Sequence, residues 1–185
     1  MPDLSQARVL ILATDGFEQS ELFDPREALL DAGATVVLAS IATHPIQGMQ
    51  HHEKGRTITP DTTLDQVDTR GFDALVLPGG VANPDTMRMQ PRAIEIVRDF
   101  MEDDRLVAAI CHGPWLLVEA DVVEGRRVTS WPSIRTDLAN AGASVLDEEV
   151  VIDGNLITSR KPADIPAFNH ALITCLKEEM GAGVE

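Results

Sequence analysis

At 185 residues, 44% of them hydrophobic, the chain has material for one packed domain over residues 1–185 and too little for two ordinary ones. A formal charge of −15, from 30 acidic against 15 basic side chains, repels nucleic acid and anionic membranes, so a small-molecule or peptide substrate is expected. Only two cysteines occur, Met1-Pro2-Asp3-Leu4-Ser5 has neither the basic nor the apolar region of a signal peptide, and no apolar run approaches the ~20 residues of a membrane span. These features together predict a soluble, reduced, cytoplasmic protein.

Residues 8–14 read as the first strand, followed by a helix over 21–32 that is interrupted at Pro25 and ended by Gly33. Residues 35–40 form the second strand and 46–59 a hairpin. A central strand over 73–77 runs into Pro78-Gly79-Gly80, and an amphipathic helix over 91–101 starts with Pro91 where proline is tolerated. The buried run Leu106 to Ile110 is a parallel strand leading into Cys111, and Gly113-Pro114-Trp115 opens a helix reaching about Ala120. A short strand over 127–130 and a helix over 133–141 come next, then a hairpin over 149–158 that turns at Asp153-Gly154. A helix over 163–179 carries Cys175 as a core residue, and residues 180–185 read as frayed. Strands alternating with helices predict an α/β fold, a doubly wound, mostly parallel sheet with helices on both faces.

Cys111 falls on the sharp turn between a strand and a helix. Ala109 and Gly113 stand two places before and after it, which is the small-residue pattern of a nucleophile elbow. The helix dipole and nearby N–H groups favour the thiolate there, so a pKa below the free value of about 8.5 is expected. The competing reading is a buried structural cysteine, the commonest fate of a free thiol.

Ligands of such sheets bind at the carboxyl edge of the strands, where Asp15-Gly16-Phe17-Glu18, Pro78-Gly79-Gly80 and Cys111-His112-Gly113 converge. Glu18 reads either as a first-turn acid favoured by the helix dipole or as a protonated carboxyl held against Cys111. Gly79 and Gly80 form a tight turn or aim N–H groups at an oxyanion. His112 adjoins the nucleophile and needs an orienting acid. His44, His51 and His52 lie in or near the first hairpin, and His51-His52-Glu53 lacks a zinc spacing, so a solvated hairpin tip is expected and no metal. With neither a Gly-x-Gly-x-x-Gly run nor a P-loop, no nucleotide cofactor is expected.

In the segments Ile11-Leu12-Ala13-Thr14-Asp15-Gly16-Phe17-Glu18, Leu77-Pro78-Gly79-Gly80, Ala109-Ile110-Cys111-His112-Gly113-Pro114 and Ser159-Arg160-Lys161-Pro162-Ala163-Asp164-Ile165-Pro166-Ala167-Phe168, the chain resembles the ThiJ/PfpI superfamily. It is most similar to the PfpI intracellular-protease branch, a division of the flavodoxin-like, class I glutamine amidotransferase-like fold. The resemblance implies Cys111 as nucleophile, Glu18 as its carboxyl partner, His112 as base, and the backbone of Gly79, Gly80 and His112 as oxyanion donors. In that branch a neighbouring subunit supplies a glutamate that orients the histidine. Here the corresponding loop, Val81-Ala82-Asn83-Pro84-Asp85, has an extra residue and an aspartate, so Asp85 of a homo-oligomer takes that place. Residues 159–164 hold no histidine where an amidotransferase carries His-x-Glu, so amidotransferase activity is not expected. Three functions follow: a cofactor-free cysteine enzyme of the glyoxalase or deglycase kind, a cysteine peptidase, or a redox-responsive stress protein without turnover.

Overall fold

The structure, a computed structural model, describes residues 4–182, so the expectations for Met1-Pro2-Asp3 and for residues 183–185 lie outside it. In chain order the elements are β1 (Arg8–Leu12), β2 (Phe17–Glu18), α1 (Gln19–Asp31), β3 (Thr35–Ser40), β4 (Ile46–Gln50), β5 (Glu53–Ile58), β6 (Thr62–Thr63) and β7 (Ala74–Leu77). Then come α2 (Ala82–Met87), α3 (Pro91–Glu102), β8 (Leu106–Ile110), α4 (Trp115–Glu119), β9 (Arg127–Val128), α5 (Arg135–Asn140), β10 (Ser144–Val145), β11 (Val151–Asp153), β12 (Leu156–Ser159) and α6 (Ile165–Ala182).

Seven strands form one sheet in the order β11-β12-β8-β7-β1-β3-β6, parallel except for β11 against β12. Alternation along each strand feeds two cores. Val9 and Ile11 of β1 face one side with Leu22 and Leu29 of α1 and Phe168 and Leu172 of α6. Leu10 and Leu12 face the other with Val97 and Phe100 of α3 and Leu116 and Leu117 of α4. Helix α3 shows why it forms: Ala93, Ile96, Val97 and Phe100 recur at i, i+3, i+4 and i+7 and are all buried. Burying each of its large side chains contributes ~1.5–3 kcal/mol.

The doubly wound fold is as expected, with local departures. Pro25 does not interrupt α1, which runs from Gln19 through it to Asp31, and Gly33 ends the helix at φ +97°. The second hairpin turns one residue later than expected. Asp153 pairs with Leu156, leaving Gly154-Asn155 as the loop, because Gly154 supplies the positive φ and Asp153 Oδ2 accepts the Arg127 N–H at 2.7 Å. Residues 180–182 continue α6 instead of fraying, and Cys175 is half-buried against the core. A stretch expected to be loop after Gly80 is the short helix α2. Pro84 is tolerated in it because a first-turn N–H has no intrahelical acceptor.

The chain leaves β1 for β3 on one side and reaches β7 on the other, so the winding reverses between β1 and β7. A cleft at the carboxyl ends of those strands is where such a fold binds ligands.

Candidate active site

Cys111 has φ +64°, a left-handed conformation that costs a side-chain-bearing residue about 1–2 kcal/mol. Hydrogen bonds hold it there: its N–H donates to the Ser159 carbonyl at 3.0 Å, and its carbonyl accepts the Trp131 N–H at 2.9 Å. Gly113 is needed two residues on, since a Cβ there would run into the Leu77 carbonyl and lie 2.9 Å from that of Ile110. The elbow read from Ala109 and Gly113 is therefore present, with its sulfur at the floor of a cleft of about 650 Å³.

The carboxyl beside that sulfur belongs to Glu21, not to Glu18 as expected. Glu21 is fully buried, its Oε2 accepts the Gly79 N–H at 2.9 Å, its Oε1 has no hydrogen-bond partner among the described atoms, and the carboxyl interacts with the Cys111 thiol. Burial, reinforced by the charge of Glu18, pushes the Glu21 pKa up to about 8. Glu18 instead caps the start of α1 at the cleft's mouth, half-buried, with Oε2 accepting the His51 N–H at 3.1 Å. The physical reason is helix register. Glu21 stands at i with buried Pro25 and Leu29 at i+4 and i+8, so it points inward, whereas Glu18 precedes the first turn.

Two further expectations change with Glu21. The Gly79 N–H is committed to its carboxyl, so the donors facing the sulfur are the backbone N–H groups of Gly80 and His112. The thiol pKa is pushed up, not down, by burial and by the neighbouring Glu21 carboxyl, while those two N–H groups oppose the shift. Cysteine and glutamic acid thus form one buried unit that loses its first proton near pH 8 and strongly resists losing the second.

His112 turns its Nδ1 to Cys111 Sγ at 3.2 Å and its Nε2 to Ser133 Oγ at 3.5 Å. Its ring stacks on Trp131 with centroids 5.8 Å apart and meets Trp115 edge-on at 5.2 Å. Burial holds its pKa below the ordinary histidine range, favouring the neutral ring. Asp85 lies exposed on α2, next to the cleft-lining Val81 and Ala82. Ser133 and Trp131 were missed by sequence reasoning, because only the fold brings them to the elbow.

Asn83 ties these pieces together. Its buried side chain accepts the Thr14 N–H at 2.8 Å and donates to the Pro78 and Gly79 carbonyls, both at 3.1 Å. His51 and His52 form the exposed two-residue tip of the β4–β5 hairpin at the cleft's mouth. Among the described residues no group of three or more His, Cys, Asp and Glu side chains is arranged to hold a metal, and no helix is long and apolar enough to cross a membrane.

Residues 7–175 match the DJ-1/PfpI family. A deglycase of Thermococcus kodakarensis is 43% identical over 170 residues, covering 92% of this chain and 99% of its own, and general stress protein 18 of Bacillus subtilis is 39% identical over 173 residues, covering 92% and 98%. A two-domain Anabaena variabilis protein with DJ-1/ThiJ/PfpI-like and ferritin-like domains superposes with a TM-score of 0.87 at 38% identity, covering 92% of this chain and 48% of the larger one. Sequence, fold and the cysteine elbow agree, and the chain belongs to the DJ-1/PfpI family.

Proposed function

We propose that the cleft houses a cofactor-independent cysteine enzyme of the glyoxalase or deglycase kind, acting on reactive carbonyls or on their early adducts with thiols and amines. The observation that carries this reading is the buried Glu21 carboxyl against Cys111, since proton movement on a small carbonyl compound needs an acid that holds its proton near neutral pH. With methylglyoxal, Cys111 Sγ adds to the aldehyde carbon, and the resulting alkoxide, held by the Gly80 and His112 N–H groups, takes the pair's proton. Glu21 then removes the proton on that carbon and returns it at the neighbouring carbon through an enediol, leaving a thioester. Water, deprotonated by His112, cleaves the thioester to lactate and restores the thiol. The sum is methylglyoxal plus water giving lactate, with no external oxidant. A thiol or amine adduct releases its thiol or amine when Cys111 takes the carbonyl carbon.

The same reading gives the working compartment as the cytoplasm, where the thiol stays reduced, and the working form as a homo-oligomer in which the partner subunit's Asp85 approaches His112 Nε2 beside Ser133. Mixing Cys111→Ala with Asp85→Ala subunits tests the shared site. Activity above the sum of the parents is expected, and its absence despite subunit exchange overturns the sharing. For the chemistry itself, lactate release from methylglyoxal should fall at least ~10³-fold in Cys111→Ala and Glu21→Leu. Undiminished turnover in Cys111→Ala refutes the proposal.

A further inference from the structure

Once Glu21 is seen to serve the thiol, Glu18 has no catalytic work, yet it lines the same cleft. No lysine or arginine lines that cleft, and among the described residues no cationic side chain forms an ion pair with Glu18. Its hydrogen bond to the His51 N–H uses one oxygen and would be made equally well by a glutamine. A carboxylate is therefore more than the hairpin requires. Beside the polar rim of His51 and His52, the walls include Met49, Val81, Trp115 and Trp131, surfaces on which an organic cation sheds water at little cost. Trp115 already takes a guanidinium from outside, the Arg88 group lying 5.5 Å from its ring centre. Beneath, the fully buried Glu21 carboxyl, its Oε1 without a hydrogen-bond partner among the described atoms, is a second acid lining the same space.

We propose that Glu18 is a specificity-determining residue whose carboxylate receives a cationic arm of the substrate, a guanidinium or an ammonium, while Cys111 engages the carbonyl carbon. The inference rests on the carbonyl-adduct reading above and narrows it to adducts whose amine- or thiol-bearing part carries positive charge. Binding has a second effect. Glu18 repels the negative charge of the cysteine–glutamic acid unit, and a bound cation cancels that repulsion at the moment the thiolate is needed.

Two measurements test this separately from the chemistry. Cys111 in the otherwise unmodified protein is titrated with methanethiosulfonates bearing a trimethylammonium, a methyl or a sulfonate tail, and rates are normalised to a free thiol and mapped by mass. The cationic-to-anionic rate ratio should fall roughly tenfold in Glu18→Gln, invert in Glu18→Lys, and change little in Glu102→Gln, a remote exposed site with the same change in net charge. Turnover is then compared on methylglyoxal hemithioacetals of thiocholine and of 3-mercaptopropionate. Wild type should prefer the cationic adduct, and Glu18→Gln, verified as folded by its melting curve, should lose that preference. Equal ratios in wild type and Glu18→Gln, with turnover intact, overturn the role of Glu18 and leave the carbonyl chemistry standing. Failure of wild type to consume methylglyoxal or either adduct overturns the carbonyl chemistry and this inference with it.

Discussion

The floor and the mouth of one cleft are built in opposite ways. At the floor, Cys111, Glu21 and Gly79 are fixed by backbone, with a left-handed φ at Cys111 and an N–H to carboxyl bond across 58 residues of sequence. At the mouth, the exposed hairpin tip His51-His52 meets Glu18 through one N–H to carboxylate bond at 3.1 Å, while the strands behind the tip are held by β2–β4 pairing and by the Arg56 N–H on Gln19. The floor therefore tolerates almost no change, because each of its groups is also a structural part. The mouth is free to vary in charge without disturbing the fold, which suits a region that selects among substrates.

The largest effect is expected at Glu21, on the floor. With a folded pKa of about 8 against an ordinary 4.5, the folded chain keeps a proton between those pH values that the unfolded chain has lost. Each pH unit in that window then lowers wild-type stability by about 1.4 kcal/mol, and nothing further is lost above pH 8 from this group. Chemical denaturation from pH 4.5 to 8 should show Glu21→Gln gaining ~3–5 kcal/mol relative to wild type. Parallel pH curves for the two proteins mean that Glu21 is not protonated in the fold.

Next comes Gly79→Ala, whose Cβ would stand 2.6 Å from Cys111 Cβ and 2.8 Å from the Ile110 carbonyl. A loss of ~2–4 kcal/mol in urea unfolding is expected, together with loss of turnover. Gly125→Ala isolates the opposite cost, that of backbone conformation alone. It has a positive φ of +71° but nothing within 4 Å of the added carbon, so only the backbone cost of about 1 kcal/mol should appear. Because Gly79 does not hold a positive φ, a loss there no larger than at Gly125 would show that the floor yields to the added carbon. Smallest is His52→Ala at the exposed tip, expected within ~0.5 kcal/mol of wild type by thermal melting. A larger change would make the mouth a structural element after all.

The sheet was legible because its central strands are continuous apolar runs, and the elbow because Ala109, Cys111 and Gly113 are spaced as a sharp turn demands. The acid partner was misread for want of one step. Both Glu18 and Glu21 follow the glycine turn, and only the i, i+4, i+8 register with Pro25 and Leu29 shows which one faces the core. Mistaking the acid also misassigned the Gly79 N–H and the direction of the thiol shift, since both depend on what lies beside the sulfur. Helix α2 was hidden by its proline, and Ser133 and Trp131 by distance along the chain, which no local pattern spans.

Asn83 carries a consequence for how the cleft can move. Its three hydrogen bonds weld the end of β1, the glycine turn and α2 into one rigid body, so the wall bearing Val81 cannot swing without tearing a buried carboxamide from its partners. On the opposite wall the base of the hairpin is tied down by β2 pairing with β4 and by the Arg56 N–H donating to Gln19 Oε1 at 2.6 Å, while its tip meets Glu18 through the His51 N–H. Breathing of the cleft therefore falls to the hairpin tip, and the residue proposed to select charge is also the latch of the door.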